Sequence, residues 1–367
     1  MTLWYLYVRH RDYPISRMAT DGHIDLIRWL LRNKVVDGAT AVIDHFSLPQ
    51  EERAVTPEGL VMLRRKGLDG VCPQPGDVVW VRGAWKPWIP WIEECVAKKI
   101  WLIFYDANTG HRGWPFWNVI LSDLVDERVE SRGSNRGFQD SPHLALYQQK
   151  RPILPYPKPI SEVFQPEPCE KRYDVVMGGA HIYDRKGQFR IFDAVVEYEK
   201  IYGVKLRCAL PGGFYNREPN TERMRKTLPQ YPHIDYMVHM PRHALAHLFN
   251  SCRLYVDMAI GGYGNRGPIE AGMSGCPLVI GFPKNHASYA YSNPRVSAVP
   301  EDPRDSVSVA KTIHDMLEVC DERREETRQH FEKHVSIDTC SGPLLKRILD
   351  FMRACPQADR ARALEAL

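Results

Sequence analysis

The stretch G261-G-Y-G-N-R-G-P-I-E-A-G-M-S-G-C-P-L-V-I-G281 holds seven glycines and a single carboxylate, Glu270, and ends in an apolar run that reads as a strand. Pro268 suits the first position of a helix, which puts Glu270 in its first turn, and Gly264, Asn265, Arg266 and Gly267 form a loop whose N–H groups can make an anion-binding nest. In open α/β sheets ligands lie beyond the carboxyl ends of the strands, where this loop would fall. A carboxylate only accepts hydrogen bonds, so the vicinal hydroxyls of a ribose are a natural partner. The alternative is a glutamate that merely favours the helix dipole.

Outward from this stretch the second half alternates strand and helix. Y173-D-V-V-M177 reads as a strand, followed by a helix with Phe189, Phe192 and Val196 on one face and then by strand V204-K-L-R-C-A-L210. Strand I234-D-Y-M-V-H-M240, a helix from Pro241 to Cys252 and strand R253-L-Y-V-D-M-A259 complete a βαβαβ pattern, the signature of a parallel doubly wound sheet. The first half repeats it less cleanly in L3–V8, I24–L31, A41–F46, V78–R82, W91–K98 and I100–Y105. The expected fold class is α/β, two Rossmann-like domains facing each other across a cleft. All nine tryptophans lie within the first 117 residues, and six prolines crowd the segment 151–168, which suits an extended connection. The expected domains are 1–167, 168–342 and a C-terminal helical segment, 343–367, crossing back to the first.

With 367 residues, 44% apolar and 26% charged, the chain is long enough for two cores. A net charge of +4, with 21 Lys/Arg against 19 Asp/Glu in residues 1–165, excludes a strongly basic nucleic-acid domain but leaves room for a local basic patch. Nine cysteines without a CxxC predict reduced thiols in a cytoplasmic protein and no metal site. The N-terminus has no signal-peptide pattern and no run is long enough to span a bilayer, so no stable membrane insertion is expected. The oligomeric state is not legible.

Two further loops fall on the same predicted rim. In M177-G-G-A-H-I-Y-D-R-K-G187, Gly178 and Gly179 allow close approach of a ligand, while Arg185 and Lys186 could reach phosphate oxygens or form a solvated turn pair. In the tripeptide His239-Met240-Pro241, backbone groups at His239 could hold a nucleobase with Met240 on its face, or His239 simply ends a strand.

These passages resemble the GT-B glycosyltransferases, most closely the retaining nucleotide-sugar enzymes of glycosyltransferase family 4. Y183-D-R-K-G-Q-F189 is similar to the family's basic element, and R266-G-P-I-E-A-G-M-S-G-C-P-L-V-I280 to its G-x-x-P/L-E-A-M-A-x-G-x-P-V-V element. The linker I-L-P-Y-P-K-P-I-S-E-V-F-Q-P, from Ile153 to Pro166, is similar to the family's I-P-N-G-V-D-x-x-x-F-x-P passage. The resemblance implies a nucleotide-sugar-binding second domain, with Arg185 and Lys186 neutralising the donor diphosphate and Glu270 binding the ribose. It implies a nucleotide-diphosphate sugar as donor, a UDP-sugar first among them, with no metal or other cofactor required. It also implies an acceptor-binding first domain, where Asp106 and His111 are candidates for acceptor activation. The family carries a further Glu eight residues before the ribose-binding one, and here that position is Gly262.

Some passages are also similar to phage DNA α-glucosyltransferases, which directs the leading acceptor expectation to a hydroxymethylated pyrimidine in DNA. R82-G-A-W-K-P-W-I-P-W91 could grip DNA through Trp85, Lys86 and Trp88, or its tryptophans could pack in the core. Arg112, Arg132 and Arg136 could follow a phosphate backbone; Arg9 and Arg11 could do the same or form surface ion pairs. Polysaccharide, glycan or lipid-linked acceptors remain open, with L63-R-R-K66 as a possible contact to anionic lipid, as does a non-catalytic protein that binds a nucleotide sugar or nucleic acid.

Overall fold

The computed structural model describes residues 1–8, 15, 21–45, 50–83, 85–106, 116–122, 153–178, 181–182, 187–214, 219–238, 240–259, 266–281 and 293–355. The chain forms two compact units, Met1–Pro159 with Ile337–Leu367, and Ile160–Ser336.

In the first unit, strands β1 (Thr2–Val8), β2 (Gly38–Asp44), β3 (Glu52–Val55), β4 (Val61–Arg65), β5 (Val78–Arg82), β6 (Trp101–Asp106), β7 (Val119–Ser122) and β8 (Ile153–Pro155) make one sheet in the order β3-β4-β2-β1-β5-β6-β7-β8. All its pairs are parallel except β3 with β4. Its near-continuous apolar strands are explained by cover on both faces. Leu3, Tyr5, Ile43, Trp80 and Ile103 pack on helix α1 (Gly22–Arg32). Leu6, Val42, Val79, Val81, Leu102 and Phe104 pack with Ile92 and Cys95 of α2 (Ile89–Ala97). Asp21 caps α1, its carboxylate accepting from the His23 N–H.

The second unit holds β9 (Tyr173–Met177), β10 (His181–Ile182), β11 (Cys208–Phe214), β12 (Ile234–Val238), β13 (Cys252–Asp257), β14 (Leu278–Ile280) and β15 (Ser297–Ala298). All their pairs are parallel; β11 joins β12, β9 and β10, and the sheet continues β9-β13-β14-β15. Helices α3 (Gln188–Tyr202), α4 (Pro219–Thr227), α5 (Arg242–Ser251), α6 (Arg266–Met273), α7 (Ser306–Val319) and α8 (Arg324–Val335) alternate with the strands. One face carries Val175, Met177, Leu254 and Val256 against α3 and α7, and the other carries Val176, Tyr255, Leu278 and Ile280 against α5, α6 and α8. The last helix, α9 (Gly342–Ala354), belongs to the first unit, where Leu345, Ile348, Leu349 and Met352 join the core on the α1 side.

Two particulars differ from the sequence reading. The strand expected over 204–210 runs instead from Cys208, because Gly203 ends α3 in the left-handed region (φ 69°) and its N–H returns to the Glu199 carbonyl. Four residues are then needed before the chain enters the sheet. The helix carrying Glu270 begins by Arg266, so Glu270 sits in its second turn, among the buried residues.

Close packing fixes α6. A Cβ on Gly272 would lie 2.3 Å from Cδ2 of Phe331, a ring with no exposed surface. Gly272→Ala should therefore destabilise the second unit by about 1–3 kcal/mol. Urea unfolding followed by circular dichroism should show a lower midpoint than wild type, and an unchanged midpoint would contradict this packing.

Candidate functional site

On the carboxyl rim of the second sheet, β9 ends at Met177 and β13 at Asp257, with Gly178 bonded across through its N–H to the Val256 carbonyl (2.7 Å). A Cβ on Gly178 would lie 2.8 Å from the Tyr255 hydroxyl and 2.9 Å from Oδ2 of Asp257, and one on Gly267 would lie 2.4 Å from the same hydroxyl. Both glycines therefore make room for a protein side chain, Tyr255, which threads between β9 and the start of α6. Asp257 is 1% exposed, and its Oδ1 accepts from the Ala259 N–H at 2.8 Å. Gln188, at the start of α3, donates from Nε2 to the Gly178 carbonyl at 3.0 Å and ties that helix end to the rim.

Glu270 is 4% exposed and is not a lone carboxylate. Arg242 Nη2 donates to its Oε1 at 2.5 Å, and the Arg242 guanidinium lies 5.0 Å from the centre of the Phe164 ring. Among the described residues, Oε2 of Glu270 has no hydrogen-bond partner and Nε of Arg242 is buried without one. Arg242 is the first residue of α5, where the helix dipole disfavours a cation, and Glu270 across the gap supplies the compensating charge. The site therefore offers one carboxylate oxygen pinned by a guanidinium and a second left for an external donor.

A charged cluster occupies the corresponding rim of the first sheet. Arg82 ends β5, and its Nη1 donates to both oxygens of Asp21 at 3.2 Å and to the Tyr5 hydroxyl at 3.3 Å, while the guanidinium covers the Tyr7 ring at 4.5 Å. Asp21 Oδ1 also lies 3.0 Å from Nδ1 of His23, which is fully buried between the rings of Tyr5, Trp80 and Tyr105. Burial, opposed by Arg82, pushes the Tyr5 hydroxyl well above its ordinary range, so it stays protonated.

The residues singled out from sequence distribute unevenly. Gly178, Arg266, Gly267, Glu270 and Met240 fall on the rim of the second sheet or beside it; Met240, half-buried, packs on the core beneath α5. Asp106 closes β6, in register with Ser122. Trp88 is 1% exposed and donates from Nε1 to Asp44 at 2.8 Å, and Trp91 donates to the Val71 carbonyl at 2.7 Å. Trp88 is thus a core residue and presents no face for a base. Trp85 is half-buried against the same core cluster, and Lys86 is exposed. Arg9, Arg11, His111, Arg112, Arg132, Arg136, Gly179, Arg185, Lys186, His239, Gly264 and Asn265 lie outside the described residues. Among the described residues no group of three or more His, Cys, Asp or Glu could hold a metal ion, and no helix is long and apolar enough to cross a membrane. All nine cysteines are free thiols.

Arg242, Tyr255, Arg82 and Asp21 were not anticipated. Arg242 does carry a sequence signal, a cation directly after the helix-starting Pro241. Arg82 carries another, a cation closing the apolar run V78-V-W-V.

No family model and no curated protein matches the chain in sequence. Solved structures do match it in fold. Sucrose-phosphate synthase from Thermosynechococcus elongatus superposes with TM-score 0.62 at 12% identity, over 96% of this chain and 100% of that one. HepE of Anabaena, solved with UDP and glucose, gives 0.60 at 10% identity over 95% and 100%. Trehalose-6-phosphate synthase OtsA gives 0.63 at 12% over 97% and 100%. Two parallel Rossmann-like sheets in one chain, matched over the full length of these proteins, define the GT-B glycosyltransferase fold.

The buried ion pair makes a testable demand. Arg242→Met leaves Glu270 without its counter-charge and should cost about 3 kcal/mol, whereas the double variant with Glu270→Gln should recover most of that loss. Chemical denaturation of the four proteins of the cycle measures the coupling, and additive losses would show that the two side chains do not depend on each other.

Proposed function

We propose that the protein is a glycosyltransferase that moves a hexosyl group from a UDP-sugar to an acceptor hydroxyl, with retention at the anomeric carbon. The observation that carries the reading is Glu270, a buried carboxylate on the ligand rim with one oxygen anchored by Arg242 and the other without a partner among the described residues. An acceptor group oriented in this way suits ribose hydroxyls, which can donate to it. Support also comes from the matched structures, since HepE was solved with UDP and glucose and an E. coli trehalose-6-phosphate protein with UDP-2-fluoro glucose.

In this reading Arg185 and Lys186 neutralise the diphosphate as it becomes the leaving group, and charge stabilisation with positioning supplies most of the rate. The donor belongs to the second unit and the acceptor to the first. A hydroxymethylated pyrimidine in DNA is the acceptor to take to experiment first. Its support is the pair of cations in the segment that ends β5, Arg82 and the exposed Lys86, and it draws nothing from stacking on Trp88.

Glu270→Ala should weaken UDP binding by about tenfold or more and slow UDP-glucose hydrolysis in parallel. Calorimetric titration with UDP and release of glucose measure the two, and wild-type values for both in the variant would overturn the ribose role. Mass spectrometry of nucleosides released from hydroxymethylated DNA after incubation with UDP-glucose tests the acceptor. Modified base supports DNA, and transfer to a saccharide alone replaces it.

A further inference from the structure

Arg82 has more donors than its neighbours use. Its anchoring runs through a single nitrogen, Nη1, which serves both Asp21 oxygens and the Tyr5 hydroxyl. Among the described residues, Nε and Nη2 have no hydrogen-bond partner. Their edge is the guanidinium face whose two parallel N–H groups match the two oxygens of a carboxylate or phosphate. The Nε–Nη2 edge of the fork is therefore not used by the ion pair with Asp21.

The surroundings fix the fork in place and keep it charged. The Arg82 side chain is 12% exposed, with the Tyr7 ring 4.5 Å beneath it. Burial works against its charge, but its surroundings, the Asp21 carboxylate among them, outweigh burial and hold its pKa well above the usual value. The Asp21 carboxylate that balances this charge is itself held in place, because it also caps the N-terminus of α1 and contacts His23. The cluster lies where β5 and β1 end, on the ligand rim of the sheet.

Resting on the reading that the first unit receives the acceptor, we propose that Arg82 grips an oxyanion of that acceptor, a phosphate or a carboxylate, through its Nε–Nη2 edge. The substrate class is thereby narrowed to acceptors that carry negative charge as well as the reacting hydroxyl. Sugar phosphates, uronates and the phosphodiesters of DNA share this chemistry, and neutral sugars do not.

Calorimetric titration of wild type and Arg82→Lys decides the matter with three charged probes, each beside an uncharged counterpart. The pairs are glucose 6-phosphate with glucose, glucuronate with methyl glucoside, and an oligothymidylate with its methylphosphonate analogue. Arg82→Lys keeps a cation for Asp21 while removing the fork. At least one charged probe should bind more tightly than its counterpart, and should weaken about tenfold or more in Arg82→Lys while UDP binding stays within twofold. The probe that behaves so names the source of the oxyanion. Equal binding of every pair to wild type, or of the charged probe to both proteins, would overturn the proposal. The UDP titration reports on the second unit separately, so failure of the donor site there would leave the Arg82 result readable.

Discussion

The guanidinium of Arg242 allows the second unit to bury a carboxylate in the body of a helix. Without it, α6 would carry an uncompensated charge against the sheet, between the Tyr255 hydroxyl packed on Gly267 and the Phe331 ring packed on Gly272. With it, three segments meet at one point. Phe164, from the segment that follows the first unit, supports the guanidinium, α5 supplies it, and α6 receives it. The direction of Glu270 is therefore set by packing before any ligand arrives, which lowers the ordering cost of recognition.

The two rims use different chemistry. On the second sheet, glycines and a tyrosine keep backbone and side chain close, and Glu270 keeps one acceptor oxygen without a partner among the described residues. On the first, Arg82 keeps a positive charge on a footing of Tyr5, Tyr7 and Asp21, with two of its donor nitrogens unpartnered among the described residues. An oriented carboxylate oxygen suits hydroxyls, and a guanidinium edge suits anions, which is what the proposed transfer from a ribose-bearing donor to a charged acceptor would call on.

Much of the architecture was legible because parallel strands covered on both faces must be apolar runs separated by helices. Y173–M177, V78–R82 and the helix from Pro241 all lie where that pattern puts them. Short strands such as β15 and the antiparallel β3–β4 pair have too few residues to show a period. That Glu270 stands on a helix beside the rim was legible from its glycines and proline, but the helix starts earlier than Pro268 suggests, and the partner of Glu270 was not legible. Arg242 lies twenty-eight residues away, and pairing across two helices leaves no local spacing in the chain. Trp88 shows the converse, since aromatic and basic residues interleaved along a loop suggested a stacking surface, while Asp44, far off in sequence, holds the indole in the core.

The ribose role proposed for Glu270 is tested most directly on the wild-type protein, by comparing UDP with 2′-deoxy-UDP in calorimetric titration. Removing the one hydroxyl should weaken binding by about tenfold, because a buried, oriented acceptor is left without its donor. Equal affinity for the two nucleotides would contradict it.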